Sequence, residues 1–189
     1  MKHAHEHGRG SDGAAAMAMV GISDELNWKA KWRLSKFVGD IPTMSEEERA
    51  AAVPYEVIDF ENNGLANVGI NELWKLVCGG TATAFSNANA YLGVGDSNTA
   101  FAASQTDLQA VTNKTYKAME SSYPTYGTSQ KATFRAVFGS SDANYAWEEV
   151  VTLNGNNPPT AEMLNRKVQS LGTKASGTSW QLDCEITIS

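Results

Sequence analysis

The sequence predicts a mainly β protein, a β-sandwich or open barrel, with one principal α-helix and a flexible N-terminal arm. Short apolar runs recur along the chain and are separated by clusters of Gly, Asn, Ser and Pro, as in all-β proteins. Two of these runs, 131–138 and 180–188, alternate apolar and polar residues, which gives each one buried and one wet face. One long stretch, 65–80, instead has the apolar spacing of a helix.

The N-terminal arm is predicted to comprise residues 1–24. These residues are rich in Gly, Ala and Ser, carry His3, His5 and His7, and offer little apolar bulk to bury. Such a composition does not offset the entropy lost on ordering the chain, so we expect a flexible segment.

Residues 25–60 are predicted to form an extension of strands and one short helix. The first strand begins near Leu26, and its apolar positions share one parity: Trp28, Ala30, Trp32 and Leu34. Ser45 and Glu48 fit a capping box that opens a short surface helix, which Pro54 ends. Residues 55–60 are predicted to be a second strand.

Residues 61–189 are predicted to be the β-rich core domain. The principal helix carries apolar residues at near-helical spacing and ends at a pair of glycines, 79–80. A single helical turn is also predicted between residues 102 and 110. The remaining predicted strands cover residues 90–94, 114–120, 131–138, 145–153, 163–169 and 179–188.

Composition excludes several classes of protein. The chain of 189 residues has a net charge of −6 and a pI of about 5.1, so its surface should repel a phosphate backbone, and we expect no nucleic-acid partner. No run approaches the roughly 20 apolar residues that span a bilayer, so we expect no membrane partner. Cys78 and Cys184 are predicted to be buried free thiols, not a disulfide.

The sequence also argues against an enzyme. All three His lie within the first seven residues, so the core domain has no imidazole for catalysis or metal binding, although a Lys base stays open. Residues 93–97 lack the third Gly of a dinucleotide fingerprint and the Gly-x-Ser-x-Gly order of a nucleophile elbow, which favours a plain strand-to-loop turn. Glu148 and Glu149 should point to opposite faces of a strand, one wet and the other structural or at an interface. We therefore predict no catalytic residue.

Two weak metal signals are present. Asp96, Asp107 and Asp142 could offer oxygen ligands to calcium, but their spacing is not that of an EF-hand. The alternating His of residues 3–7 could chelate a transition metal, with a mobile tail as the simpler interpretation. We predict no metal site and no cofactor.

Four short motifs carry a resemblance to a known family. They are Leu-Gly-Val-Gly-Asp-Ser-Asn-Thr-Ala at 92–100, Gln-Thr-Asp-Leu at 105–108, Leu-Asn-Arg-Lys at 164–167 and Leu-Gly-Thr-Lys at 171–174. Together they resemble a family of small virion structural proteins of tailed bacteriophages.

The order of elements over residues 53–189 is also distantly similar to the attachment domain of phage tail-fibre and collar proteins. In that domain a helix with a Gly-rich end precedes a Gly-x-Gly strand, a Thr-Asp-Leu-like turn, a strand pair carrying Trp or Phe with Glu, and a closing apolar strand. The corresponding places in this chain are 65–80, 91–95, 106–108, 134–149 and 180–188.

The resemblance implies a non-enzymatic virion protein made in the host cytoplasm, specifically a capsid decoration or cement protein (a minor capsid protein). Its partners would be the major capsid protein or other virion proteins, and it would be a homo-oligomer in the particle. The β domain and residues 1–60 would tie neighbouring subunits together. Trp28, Trp32 and Trp147 are the candidate contact residues, because aromatic side chains supply large rigid area at interfaces. Core packing is the alternative for each of them.

Two other functions stay open. One is a tail, neck or baseplate adaptor or tail-fibre attachment protein, although tail-fibre proteins continue into a long shaft and this chain stops at Ser189. The other is a host-surface domain that binds or cleaves carbohydrate. That function would need exposed aromatic residues and a carboxylate on one rim, for which Tyr123, Tyr126 and Asp142 are the candidates.

Overall fold

A computed structural model describes residues 28–158 and 160–188, and in it ten strands form two antiparallel sheets of five strands each. The two sheets pack face to face as a β-sandwich around a shared apolar core. The mainly β fold class is therefore confirmed. The predicted flexible arm, residues 1–24, lies outside the described residues.

The first sheet contains, in spatial order, β2 (Glu56–Glu61), β1 (Trp28–Val38), β10 (Thr178–Ile188), β7 (Lys131–Phe138) and β6 (Thr125–Thr128). The second sheet contains, in spatial order, β3 (Gly64–Leu65), β9 (Met163–Thr173), β8 (Ala146–Leu153), β4 (Tyr91–Gly95) and β5 (Lys114–Ala118). The described residues also form a 3-10 turn at Ile41–Thr43 and two helices, α1 (Glu46–Ala51) and α2 (Asn67–Val77).

The centre of the first sheet joins the two ends of the described chain. β1 pairs with β10 along its whole length, from Trp28 opposite Ile188 to Val38 opposite Thr178. The predicted alternation holds in both strands, because their inner residues are buried in the core and their outer residues are polar: the inner set is Ala30, Trp32, Leu34, Leu182, Cys184 and Ile186. Residues 28–60, which belong to the segment 25–60 predicted as an extension, thus contribute strands to the same sandwich as the rest.

Aromatic rings fill the space between the sheets. Trp147 of β8 packs edge-to-face against Phe138 and Trp180, with ring centroids 4.8 and 4.7 Å apart. Trp32 of β1 stacks on Phe60, with a centroid distance of 6.0 Å. Such pairs add to the free energy gained from burying the rings, so these residues hold the two sheets in one relative position.

The second sheet is covered on both faces. Val150 of β8 points into the main core, whereas Val151 and Leu153 point outward into a second apolar cluster. That cluster is completed by Leu108 of the long loop 96–113, with Ala66, Ala161 and Met163. β8 is accordingly buried without interruption from Glu149 to Leu153, although Glu149 and Thr152 are polar.

Sequence signals locate the start of α1 and the end of α2, whereas α2 begins at Asn67 and not at the predicted residue 65, because Leu65 belongs to β3. The Ser45 hydroxyl oxygen accepts a bond from the Glu48 backbone N–H at 3.2 Å, and the Glu48 carboxylate accepts one from the Ser45 N–H at 2.8 Å, so the capping box before α1 is confirmed. α2 ends just before Gly79, whose φ of +73° suits a residue without a Cβ atom.

Three local predictions differ from the structure. Residues 102–110 form no helical turn, because the Gln105 side chain accepts the Ala102 N–H and holds this stretch as an irregular loop. β6 was not predicted, and all four of its residues are exposed, so it has no apolar alternation to detect. Cys184 is buried as predicted, but Cys78 is exposed, because it follows the last turn of α2 on the outside of the sandwich.

Candidate functional site

α2 lies directly on the backbone of β9. A Cβ atom placed on Gly69 would come within 2.6 Å of the Leu164 Cα and 2.7 Å of the Met163 carbonyl oxygen. Only a glycine lets the helix approach so closely. The side of α2 that faces the sheet is therefore fixed at Gly69.

Glu72 fixes the same side of the helix one turn later. This carboxylate is 3% exposed and accepts bonds from the Thr83 backbone N–H at 2.7 Å, the Asn154 side-chain amide at 3.1 Å and Lys75 Nζ at 3.0 Å. Burial by itself raises the pKa of Glu72, but Lys75 and the Thr83 N–H outweigh it and hold the pKa below its usual value. The helix is thus bonded to the loop that follows it and to the end of β8.

Because α2 turns Gly69 and Glu72 inward, it turns an apolar stripe outward. Ile70, Trp74 and Val77 have the i, i+4, i+7 spacing of one helix face, and we call them the α2 stripe. Trp74 is 61% exposed and Val77 is 75% exposed. A helix that buries a carboxylate while it exposes a tryptophan reverses the usual arrangement, and exposed apolar patches of this kind mark contact sites.

A groove opens beside α2 at one end of the main core, with a volume of about 490 Å³. Its floor consists of core residues, Phe134, Leu164 and Ile186, each at most 4% exposed. Its rim consists of partly or largely exposed residues, chiefly Trp28, Leu73, Leu76, Tyr126 and Ile188. We call it the α2 groove. Here the inner face of the first sheet extends beyond the parts of the chain that pack on it elsewhere.

The outer face of the first sheet has a different chemistry. Acidic and basic residues alternate from strand to strand and form four cross-strand ion pairs: Lys31–Glu61, Arg33–Asp59, Arg135–Asp183 and Lys131–Glu185. The four pairs contribute four positive and four negative charges, and Lys29 adds one positive charge on the same face of β1. This face therefore produces little net field to attract a charged partner.

The three tryptophans predicted as contact residues have different positions. Trp32 and Trp147 are 1% and 0% exposed, so both occupy the core, as the packing alternative expects. Strand alternation explains this for Trp32, which belongs to the inward parity of β1. Trp147 shares its parity with the outward-facing Val151, and the irregular register between Trp147 and Glu149 accompanies the inward position of its ring. Trp28 is half-buried on the rim of the α2 groove and directs its Nε1–H toward the Asn63 side-chain oxygen at 3.4 Å. Of these three tryptophans, Trp28 alone has solvent-accessible surface that a partner could contact.

Glu148 and Glu149 differ in burial and in their partners. Glu148 is half-buried beside Ser170, whereas Glu149 is completely buried on the outer side of the second sheet. The Glu149 carboxylate accepts bonds from the backbone N–H groups of Gln109 and Ala110, at 2.9 and 2.7 Å, and from Arg166 Nε at 2.6 Å.

Arg166 extends this contact along the loop. Its two terminal nitrogens donate to the Gln105 side-chain oxygen at 3.1 Å and to the Thr99 carbonyl oxygen at 2.9 Å. The buried ion pair therefore fastens the loop 96–113 to the second sheet at four points. Every charged atom has a partner within the chain, so the pair has a structural role.

A second buried cation is also committed to structure. Lys174 is 1% exposed, and its ammonium group donates to the Gly139 carbonyl oxygen at 2.7 Å and to the Asn144 side-chain oxygen at 2.8 Å. Burial lowers the pKa of Lys174. Asp142 accepts bonds from Lys117 Nζ and the Gly139 N–H, which outweigh its own burial and lower its pKa. Both groups stabilise the turn after β7.

The three aspartates considered for calcium each have their own partners. Asp96 accepts a bond from the Asn113 side chain, Asp107 is ion-paired with Lys114, and Asp142 binds Lys117. Among the residues that the structure describes, no group of three or more His, Cys, Asp or Glu is arranged to hold a metal ion.

The residues considered for carbohydrate binding are not brought together. Tyr126 is 80% exposed opposite Ala132, at the start of β7, whereas Asp142 follows the end of that strand. The eight-residue strand between them has a length of roughly 25 Å. Tyr123 is near Tyr126, but its ring is covered by the Arg135 guanidinium at 4.7 Å.

Comparisons with models of known protein families, with curated proteins and with solved structures found no match. Neither helix in the described part of the chain has the length and apolar character needed to cross a membrane.

Sequence reasoning missed Trp74 as a surface residue. The helical spacing of residues 65–77 contains two apolar stripes, Leu73 with Leu76 and Ile70 with Trp74 and Val77, and periodicity does not state which one is buried. The signal that could have found it is Gly69, because a mid-helix glycine often marks close packing on that side.

Proposed function

We propose that this protein is a non-enzymatic structural protein of a tailed bacteriophage particle, specifically a capsid decoration protein that binds neighbouring virion proteins through the α2 stripe. The resemblance of residues 92–100, 105–108, 164–167 and 171–174 to small phage virion proteins supports the setting. The exposed apolar stripe on a firmly seated helix supports a protein partner.

The stripe is the observation that carries the proposal. Trp74 is the most exposed tryptophan of the described residues, and tryptophan is the residue most enriched among interface positions of high energy. Gly69 and Glu72 already fix the helix, so binding would order little new backbone and would lose little entropy. Such a preorganised anchor favours tight binding for a small contact area.

The surroundings of Trp74 define the partner surface that fits it. The hollow that Trp74 lines is also lined by one polar residue, one basic residue and one acidic residue: Asn71, Lys75 and Glu162. A partner would therefore present an apolar pocket for the indole with a polar rim of hydrogen-bonding groups, as protein interfaces commonly do. The charged outer face of the first sheet would stay in solvent.

The first experiment is the copy number of the protein in purified phage particles, measured by quantitative mass spectrometry against the major capsid protein. A copy number in the hundreds is expected, because decoration proteins occupy symmetric positions of the capsid lattice. A handful of copies would instead assign the protein to an adaptor in the tail, neck or baseplate. Absence from the particles would overturn the virion proposal.

The contact residue is tested separately with Trp74→Ala, assayed by incorporation into particles that lack the wild-type protein. Loss of an interface anchor typically costs about 2 kcal/mol or more, so we expect roughly thirtyfold weaker binding. The matched control is Val111→Ala, at a side chain 91% exposed on the loop over the second sheet. Both variants should unfold at the wild-type temperature. Equal incorporation of both would contradict the role of the α2 stripe.

A further inference from the structure

We propose that Asn154 is a site of spontaneous deamidation, that the seating of α2 on the sheet protects it, and that its conversion to a carboxylate releases the helix. This inference goes beyond the proposed function, because it concerns covalent chemistry just after the end of β8 and holds with or without a partner. It rests on the residue that follows Asn154, on the groups that hold its side-chain amide, and on the buried carboxylate that one of these bonds reaches.

The sequence at this position favours an intramolecular reaction. Asn154 is followed by Gly155, which has no side chain to keep its backbone nitrogen away from the asparagine side chain. That nitrogen attacks the Asn154 Cγ atom, the Cγ–Nδ2 bond breaks, and ammonia leaves with the proton of the Gly155 N–H. Water then opens the cyclic imide to aspartate or isoaspartate. The reaction therefore needs no reactant other than water.

The packing around position 155 favours a glycine. A Cβ atom placed on Gly155 would come within 2.9 Å of the Ala161 Cβ atom, on the other side of the β8–β9 connection. A larger residue would push these two segments apart, because closely packed protein leaves no spare room. The reactive dipeptide is thus a consequence of how the connection packs.

The fold holds the side-chain amide of Asn154 at three points. The residue is 4% exposed, and its Nδ2 donates to the Thr83 carbonyl oxygen at 2.9 Å and to Glu72 Oε1 at 3.1 Å. Its Oδ1 accepts the Glu162 N–H at 2.6 Å. Both Nδ2 contacts must break before ammonia leaves, and all three restrict the rotation that brings Cγ to the Gly155 nitrogen. Deamidation therefore proceeds through a locally open form.

The bond to Glu72 couples this chemistry to α2. The buried Glu72 carboxylate seats the helix by accepting bonds from Asn154 and from the Thr83 N–H. A carboxylate at position 154 has no proton to donate, so it would place a charged oxygen against the Thr83 carbonyl oxygen and the Glu72 carboxylate. Two carboxylates at such a distance repel each other. Deamidation therefore unseats α2 and marks permanently the molecules in which the helix has opened.

The rate of deamidation tests the protection. Wild-type protein is incubated in mildly alkaline buffer, folded or unfolded in guanidinium chloride, and peptide mapping by mass spectrometry measures the acid formed at position 154. We expect the folded protein to react at least about tenfold more slowly, because the reaction is confined to a transiently open form. Equal rates would overturn the protection, and no reaction in the unfolded chain would overturn the site itself.

Two glutamate variants test the coupling to α2. Glu72→Ala removes the acceptor that links the helix to Asn154, so it should raise the deamidation rate of the folded protein several-fold. Glu61→Ala, at an exposed residue of β2, is the matched control and should react as the wild type does. Circular dichroism shows that each variant is folded. Equal deamidation rates in the two variants would contradict the coupling.

Asn154→Asp reproduces the product directly and does not depend on the folding of Glu72→Ala. Amide hydrogen exchange in residues 67–77 should be at least about tenfold faster than in the wild type, because the helix loses its seat. Asn156→Asp makes the same charge change at an exposed position two residues further along and should leave the exchange unchanged. Equal exchange in the two variants would overturn the proposed release of α2, and none of these readouts involves a partner.

Discussion

The two sheets carry charged residues on their outer faces in opposite ways. On the first sheet, Arg33 and Asp59 form an ion pair whose side chains are 58% and 59% exposed. On the second sheet, Arg166 and Glu149 form an ion pair whose side chains are both completely buried under the loop 96–113. The outer face of the first sheet therefore stays in contact with water. On the second sheet, the buried pair holds the loop 96–113 in place.

The difference teaches what each pair contributes. When an exposed ion pair forms, each charged group exchanges bound water for its partner, so the net gain in stability is small. A buried pair loses the hydration of both charges, which the mutual attraction and the added hydrogen bonds must offset. Glu149 meets this condition through two backbone N–H groups and Arg166. The loop has no regular structure of its own, so these bonds define its course.

The largest effect is expected from breaking the buried pair. Glu149→Ala leaves the Arg166 charge buried without a counter-charge and removes the acceptor of two backbone N–H groups. We expect a loss of about 3–5 kcal/mol in the free energy of unfolding, measured by urea denaturation. Amide hydrogen exchange in residues 96–113 should also become faster.

The double variant Glu149→Leu with Arg166→Met serves as the control for this prediction. It removes both charges and keeps apolar bulk, so much of the lost stability should return. A loss below about 1 kcal/mol for Glu149→Ala would show that the pair does not hold the loop.

A smaller effect is expected from acid. The pKa values of Glu72 and Asp142, which flank β8, are lowered from ordinary values of 4.5 and 3.8. A lowered native pKa means that the unfolded chain binds protons first. Their contribution is therefore present above about pH 4.5 and is lost as the pH falls through the native pKa values. Urea midpoints measured between pH 7 and pH 2 should follow this course.

One variant at a buried carboxylate and one at an exposed carboxylate sharpen the prediction for acid. Glu72→Gln should flatten the fall in stability below pH 4.5, because one of the responsible groups no longer titrates. Asp59→Asn, on the exposed face of the first sheet, should flatten it less. If Asp59→Asn had the larger effect, the contrast between the two sheets would be wrong.

The smallest effect is expected on the outer face of the first sheet. A double-mutant cycle with Arg33→Ala and Asp59→Ala should give a small coupling at low ionic strength that disappears in 1 M salt, where the screening length is about 3 Å. The Arg166–Glu149 coupling should persist in the same salt, because no ions enter the buried site. A salt-resistant coupling at Arg33 would contradict this interpretation.

The sequence allowed the prediction of features that depend on neighbouring residues. β7 was placed with its true limits, and the capping box of Ser45 and Glu48 was recognised, because strand alternation and capping act over a few positions. Of the candidate contact residues, Trp28 lies at the surface, and Trp32 and Trp147 lie in the core.

What escaped prediction depends on residues far apart in the chain. Glu149 binds the backbone of Gln109 and Ala110, 40 and 39 positions away, and nothing local in either segment announces the other. The outward turn of Trp74 has the same origin, because Asn154 bonds to Glu72 across 82 positions and so selects the face of α2 that is buried.

The pairing of β1 with β10 has a consequence for synthesis on the ribosome. Trp28 opposes Ile188, so one edge of β1 has no partner until β10 has been translated. At typical elongation rates of about 5–20 residues per second, this interval lasts roughly 10–30 s. β2 can pair with the other edge of β1 during this time, but the apolar face with Trp32 stays uncovered. During this interval the nascent chain is exposed to aggregation and depends on chaperones, until β10 emerges.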